Sequence, residues 1–141
     1  MRSNATDRVF DSWALLAWIQ NEPAADAVEA FILDARRGTA ALSLSSINAG
    51  EIYYQLVRRQ GQELAEAFWR DVVSGRFPLR LFSATDARVR RAARLKAQFP
   101  IAYADAFAIA LALELQQPLV TGGAEIGEAA AECGVTLEWL G

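Results

Sequence analysis

The sequence predicts a three-layer α/β fold, a mostly parallel five-stranded sheet with helices on both faces. Three observations carry that prediction. Five short apolar segments read as strands. Each is joined to the next by one or two helical segments, the connection that parallel strands require. The 141 residues are 53% hydrophobic, enough for one sizeable core and too few for a second domain, and no repeat, linker or low-complexity stretch interrupts them.

Arg8-Val9-Phe10 is a stub of apolar strand that stops on Asp11 and turns directly into the apolar helix ending at Ile19. Aspartate is a poor strand residue, and Ser12 is placed to cap the helix. The carboxyl end of a strand is also the rim where open α/β sheets bind ligands, so Asp11 reads either as part of a cap or as a site residue. Asn21-Glu22-Pro23 breaks the pattern. Ala24 to Arg37 follows as a helix with Ala27, Val28, Phe31 and Ile32 in one stripe, stopped by Gly38. Ala41 to Ser45 alternates at period two as a short strand, and Ser45 or Ser46 can cap a helix reaching Gln60. On that helix Glu51 shares a face with Asn48, Gln55 and Arg58, away from Ile52, Tyr53, Leu56 and Val57, as a residue of a solvated face would.

Leu64, Phe68 and Val72, with Ala65, Trp69 and Val73, make the next amphipathic helix, closed by Ser74-Gly75. Pro78 to Phe82 is the third strand. Ser83-Ala84-Thr85-Asp86 has capping-box spacing, which gives Asp86 a structural role at the head of a basic helix running to Phe99. Pro100 opens Ile101 to Gln117, apolar nearly all round, with Asp105 the only charge in its first turns. A helix like that is buried, so Asp105 needs a capping role, the helix dipole, a basic partner or a metal to offset its desolvation. Leu119-Val120-Thr121 is the fourth strand and runs into Gly122-Gly123, with Glu125 close behind. Ile126 to Cys133 is a small helix stopped by Gly134, and Val135 to Leu140 is the final strand.

Composition narrows the chemistry. Histidine is absent and Cys133 is the sole cysteine, which excludes histidine bases, Ser-His-Asp triads, disulfide frameworks and thiolate metal clusters. Catalysis would have to use carboxylates, and with them a hard metal. No apolar run approaches the roughly 20 residues that span a bilayer, and the N-terminus lacks a signal-peptide layout, so a cytoplasmic protein is expected. Met1 to Thr6 is polar and expected to fray, and Ser3-Asn4-Ala5 has the look of a vector-derived remnant. The net charge of −3 argues against a broad nucleic-acid surface, yet five of the fourteen basic residues, Arg88, Arg90, Arg91, Arg94 and Lys96, fall on one helix. That helix is either a solvated face or a local basic surface.

Three acids recur at comparable places: Asp11 closing the first strand, Glu51 in the helix after the second, and Asp105 opening the buried helix before the fourth. Phe10-Asp11-Ser12-Trp13-Ala14-Leu15-Leu16-Ala17, Ile47-Asn48-Ala49-Gly50-Glu51-Ile52-Tyr53-Tyr54 and Tyr103-Ala104-Asp105-Ala106-Phe107-Ala108 resemble, in order and spacing, the motifs of PIN-domain ribonucleases, in particular the VapC toxins of bacterial toxin–antitoxin pairs. Pro118-Leu119-Val120-Thr121-Gly122 is similar to the strand carrying the family's fourth motif. The resemblance covers nearly the whole chain. It implies a sheet of order 3-2-1-4-5, an endoribonuclease dependent on Mg²⁺ or Mn²⁺ that leaves 5′-phosphate and 3′-hydroxyl ends, a cognate VapB-like antitoxin and a homodimer. The aromatic content, including Trp13, Trp18, Trp69, Tyr53 and Tyr54, points the same way for the dimer.

In that reading Asp11, Glu51 and Asp105 hold the ion, Thr121 offers its hydroxyl to a carboxylate or a metal-bound water, and Glu125 is a peripheral acid. Carboxylates about 5 Å apart repel by roughly 3 kcal/mol per pair at an effective dielectric near 20, a penalty that a cation removes. Arg90 and Arg94 would hold RNA beside the acidic rim. One departure stands out: the family usually places an aspartate after the Thr-Gly pair, and this chain has Gly123. A second reading follows from it, a PIN-like protein impaired in catalysis that acts by binding antitoxin or RNA. Other acidic-rimmed α/β folds fail on residues. A phosphoryl-accepting receiver needs a lysine late in the sheet, but the only lysine is Lys96; a haloacid-dehalogenase-type phosphatase needs an aspartate where Trp13 stands; and no glycine-rich turn follows Asp11 for a dinucleotide.

Overall fold

Alternate side chains of the central strands feed two separate cores, and that alternation produces the three layers. The computed structural model describes residues 7–141, so the expectations for Met1 to Thr6 lie outside the described residues. In chain order the elements are β1 (Arg8–Phe10), α1 (Ser12–Ile19), α2 (Ala25–Arg36), β2 (Leu42–Ser45), α3 (Ser46–Gln60), α4 (Gln62–Val73), β3 (Arg80–Phe82), α5 (Asp86–Gln98), α6 (Tyr103–Leu115), β4 (Leu119–Thr121), α7 (Ala124–Glu132) and β5 (Leu137–Trp139). The strands form one sheet in the order β3-β2-β1-β4-β5, every pairing parallel, as expected. Phe10, Leu44 and Val120 stand side by side and point into the core under α1 to α4, while Val9 and Leu119 point into the core built on α6 and α7. Because β1, β2 and β4 are covered on both faces, they bury nearly every residue, whereas the edge strands β3 and β5 bury less.

The buried helix is α6, in which Ala106 to Ala112 are all buried. Its alanines let it lie close against α5, α3 and the sheet, and enlarging Ala108 would overpack that contact at about 1–3 kcal/mol. It starts two residues later than the apolar run, because Ala102 is extended, and ends where Gln116 turns left-handed at φ 54°. The first and fifth helices take different caps from those expected. Asp11, not Ser12, caps α1, accepting from the Ala14 backbone N–H at 3.0 Å. Thr85, not Ser83, caps α5, accepting from the Arg88 N–H at 3.3 Å, with Asp86 in the first turn where the helix dipole favours an anion. Three aromatics invoked for a dimer pack internally, Trp18 against Phe77 and Tyr53 against Trp69, with ring centroids 5.4 Å and 5.9 Å apart. Among the described residues no single helix is long and apolar enough to cross a membrane.

Candidate active site

The strand order places the site. From β1 the chain proceeds outward through β2 to β3, then returns to lay β4 on the other side of β1 and β5 beyond it. At such a reversal the loops leave the carboxyl ends of β1 and β4 in opposite directions and a crevice opens between them. A cavity of about 510 Å³ lies there, lined by Asp11, Glu51, Asp105 and Glu125. A second cavity, of about 460 Å³, lies at the amino-terminal end of the sheet, and its one carboxylate, Asp7, accepts from the Ala41 N–H at 2.7 Å.

Asp11 stands at the bottom of the crevice, 2% exposed. Oδ1 is held by the Ala14 N–H, and Oδ2 by the Thr121 hydroxyl at 2.5 Å; Thr121 Oγ1 in turn accepts from the Gly123 N–H at 3.2 Å. Thr121, itself fully buried, therefore acts through Asp11. Asp11 is a cap and faces the cavity at once, since one carboxylate serves both purposes. Burial pushes its carboxyl up to about 7, against the pull of the Thr121 and Ala14 bonds, and the charges of Asp105 and Glu51 push the same way.

Glu51 does not lie on a solvated face. It is half-buried and accepts from the Ser12 hydroxyl, which also accepts from Asn48 Nδ2 at 3.3 Å. Asn48 is fully buried and donates to the Ala104 carbonyl at 3.2 Å, so α1, α3 and the start of α6 are tied by one amide whose Oδ1 has no partner. Asp105 is the third residue of α6 and takes a hydrogen bond from the Ala102 backbone, which satisfies one orphan donor of the helix end. Its carboxyl is raised, first by burial, then by the charges of Glu51 and Glu125. Glu125, in the first turn of α7, closes the far wall. At Gly123 a Cβ would lie 3.1 Å from Ile126 Cγ2, so the position that usually carries an acid in the family is here packed against an apolar side chain.

The acids face a common cavity rather than a common point. Among the described residues no three carboxylates converge closely enough to form a ready-made metal cage, and Glu51 is turned toward Ser12. The donor set nonetheless suits a hard cation. It is all oxygen, and its two deepest carboxyls, Asp11 and Asp105, are pushed up by burial and by neighbouring carboxylates, the strain a cation relieves. Mg²⁺ needs only one or two carboxylates and keeps several waters, which an open cavity of this size accommodates.

Arg90 and Arg94 are exposed on α5, and neither lines the cavity. Arg88 and Arg91 of that helix instead pair with Glu114 at 3.0 Å and 3.2 Å. Sequence reasoning missed Ser12 as a site residue, Asn48 as the tie, Trp13 as a wall and Arg59 as the one cation lining the cavity among the described residues. The signal for Asn48 and Arg59 was their spacing: both fall on or beside the helical face of Glu51.

A small parallel α/β domain that gathers acids around one cavity at the reversal of strand order, in a chain without histidine, offers the oxygen-only donor chemistry that hard cations take. The chain belongs to the PIN-domain family, whose sequence pattern matches residues 8–132. No curated protein matches the sequence. Its fold is that of VapC toxins in solved structures. It is similar to VapBC2 of Rickettsia felis bound to a promoter DNA fragment (TM-score 0.68, 15% identity, covering 96% of this chain and 99% of that one). It is similar to VapC20 of Mycobacterium tuberculosis, a sarcin-ricin loop cleaving toxin (0.69, 14%, 86% and 94%), and to DNA-bound VapBC of Salmonella typhimurium (0.68, 18%, 96% and 98%).

Proposed function

We propose that the protein is a metal-dependent endoribonuclease of the VapC kind, the toxin of a toxin–antitoxin pair, with Asp11, Glu51 and Asp105 holding Mg²⁺ or Mn²⁺. The observation behind this reading is one cavity at the carboxyl ends of β1 and β4 that collects five carboxylates, Glu22 at its outer edge besides Asp11, Glu51, Asp105 and Glu125, in a chain of the PIN-domain family. When bound there, the ion would lower the pKa of a water and offset charge on the scissile phosphate. The residues supply the rest. Thr121 and the Ala14 N–H fix the Asp11 carboxylate, Ser12 and Asn48 aim Glu51, and Ala102 fixes Asp105. Glu125 is the peripheral acid on the side where Gly123 offers none. The partners of this reading are an RNA substrate, a VapB-like antitoxin and a second copy of the chain, in the cytoplasm, with Arg90 and Arg94 as an outlying basic surface for RNA.

Gly123 supports a second reading, in which catalysis is impaired and the protein works by binding antitoxin or RNA. One experiment separates them. The purified chain, incubated with single-stranded RNA, should cleave only with Mg²⁺ or Mn²⁺, and either ion at about a hundred times its dissociation constant should stabilise the fold by about 2.7 kcal/mol. Asp105→Asn should lose at least about a hundredfold in cleavage, since a metal's contribution is worth several kcal/mol, while its melting temperature in the absence of metal is unchanged or higher. Cleavage by Asp105→Asn at the wild-type rate would refute the site. A wild-type chain that binds RNA but neither cleaves nor gains stability from metal would establish the second reading.

A further inference from the structure

Every wall of the acidic cavity is neutral or negative among the described residues, with one exception. Arg59 lies on the same face of α3 as Glu51 and Gln55, at intervals of four residues, and all three line the cavity. The row runs outward from the carboxylates. Eight residues of helix place Arg59 about 12 Å along the axis from Glu51, too far to touch a phosphate bound among the acids. Its guanidinium is exposed but not loose, because Nη1 donates to Gln20 Oε1 at 2.9 Å from the end of α1. No acid of the described residues pairs with it, so most of its five donors remain available. The contrast is with Arg88, whose Nε and Nη2 are both spent on Glu114 at 3.0 Å.

A polyanion crossing this rim meets repulsion on both sides of the point where it reacts. A cation among the acids answers only the phosphate that it touches; the next phosphates along the strand need their own partner. We propose that Arg59 is the positioning residue for the substrate strand, taking a backbone phosphate beyond the scissile one and so fixing which bond lies over the acids. The inference rests on the ribonuclease reading above and assigns Arg59 no part in bond breaking. The row Glu51, Gln55, Arg59 then works as a ruler along α3, with a reacting end, a neutral spacer and an anchoring end.

The test compares Arg59→Gln and Arg59→Lys with the wild type, using a single-stranded oligoribonucleotide and a minimal dinucleotide that has no phosphate beyond the scissile one. With the long substrate, Arg59→Gln should raise KM roughly tenfold and leave kcat within about twofold, the pattern of lost binding rather than lost chemistry. The slope of log affinity against log salt should flatten by roughly 0.7, one single-strand contact. Arg59→Lys should recover part of the affinity as a point charge. On the dinucleotide all three proteins should be alike. Unchanged melting temperatures verify that the variants are folded. If the wild type cleaves RNA and Arg59→Gln shows the same KM and salt slope, or loses equally on the dinucleotide, Arg59 is not the anchor and only this inference fails. If the wild type cleaves neither substrate, the ribonuclease reading fails and carries this one with it.

Discussion

Helix α6 carries an acid at each end, and the chain treats them in opposite ways. Glu114 sits in the last turn, where the helix dipole disfavours an anion, yet its carboxyl is lowered because Arg88 and Arg91 of α5 close on it, Arg88 in bidentate fashion. Asp105 sits in the first turn, where the dipole helps, yet its carboxyl is raised by burial and by the charges of Glu51 and Glu125. Local helix physics favours Asp105 over Glu114, and the tertiary surroundings reverse the order. An acid that receives its cations from the chain itself is part of the framework. Acids gathered without one await a partner from outside, and that difference separates a salt bridge from a site.

The sharpest way to break the comparison is to titrate it. Asp11 has a folded carboxyl raised from 3.8 to about 7. Below the lower value both folded and unfolded chains hold the proton; between the two values only the folded chain does, so stability falls as pH rises through this interval and then levels off. Metal-free protein should therefore lose on the order of a few kcal/mol between about pH 4 and pH 7 from this group. Thermal melts in a chelating buffer read the loss. In Asp11→Asn, which can keep the cap to Ala14 and donate to Thr121, that fall should disappear; a wild-type profile in the variant would show that the titration belongs elsewhere.

The opposite sign holds for Glu114. Its lowered carboxyl contributes stability above the ordinary value of 4.5, which is lost as pH drops through the folded value. Glu114→Gln should cost about 1 kcal/mol near neutrality, lose part of the acid limb of the melting profile and leave RNA cleavage untouched. A cleavage defect without a stability change would reverse the roles of the two helix ends. The smallest effect is expected from Arg90 and Arg94, exposed and outside the cavity. Replacing both with glutamine should flatten the salt slope of RNA affinity by roughly 0.7 per contact and leave kcat alone, which binding measured over a salt series reports.

Much of the layout was legible because it depends on local signals. Apolar stubs bounded by glycine and proline mark the strands, an all-round apolar run marks the buried helix, and the placement of Asp11 and Asp105 at element boundaries singles them out. Glu51 shows where that reading stops. Its helical face is polar by periodicity, and only the packing of α3 against α6 and α1 turns that face inward, which is why Asn48 is fully buried and Ser12 becomes a neighbour of Glu51. The arginines of α5 fail in the converse way. Their density suggests a surface for a polyanion, whereas Arg88 and Arg91 are committed to an acid 26 and 23 residues away that no spacing rule connects to them. The caps slipped by one or two residues because several short polar side chains compete at each helix start, and the winner is set by backbone extension.

The ring of Trp13 lies where a Cβ at position 122 would have to go, the two overlapping well inside contact distance. Gly122 is thus the empty half of a lock whose other half is an indole forming part of the cavity wall. Any heritable change at either position is judged against the other: a side chain at 122 must evict the indole, and a smaller residue at 13 leaves a gap that 122 is then free to fill. The shape of the acidic cavity is in this sense inherited as a pair, and scanning it one residue at a time would credit to lost function what is in fact a broken fit between two positions 109 residues apart in the chain.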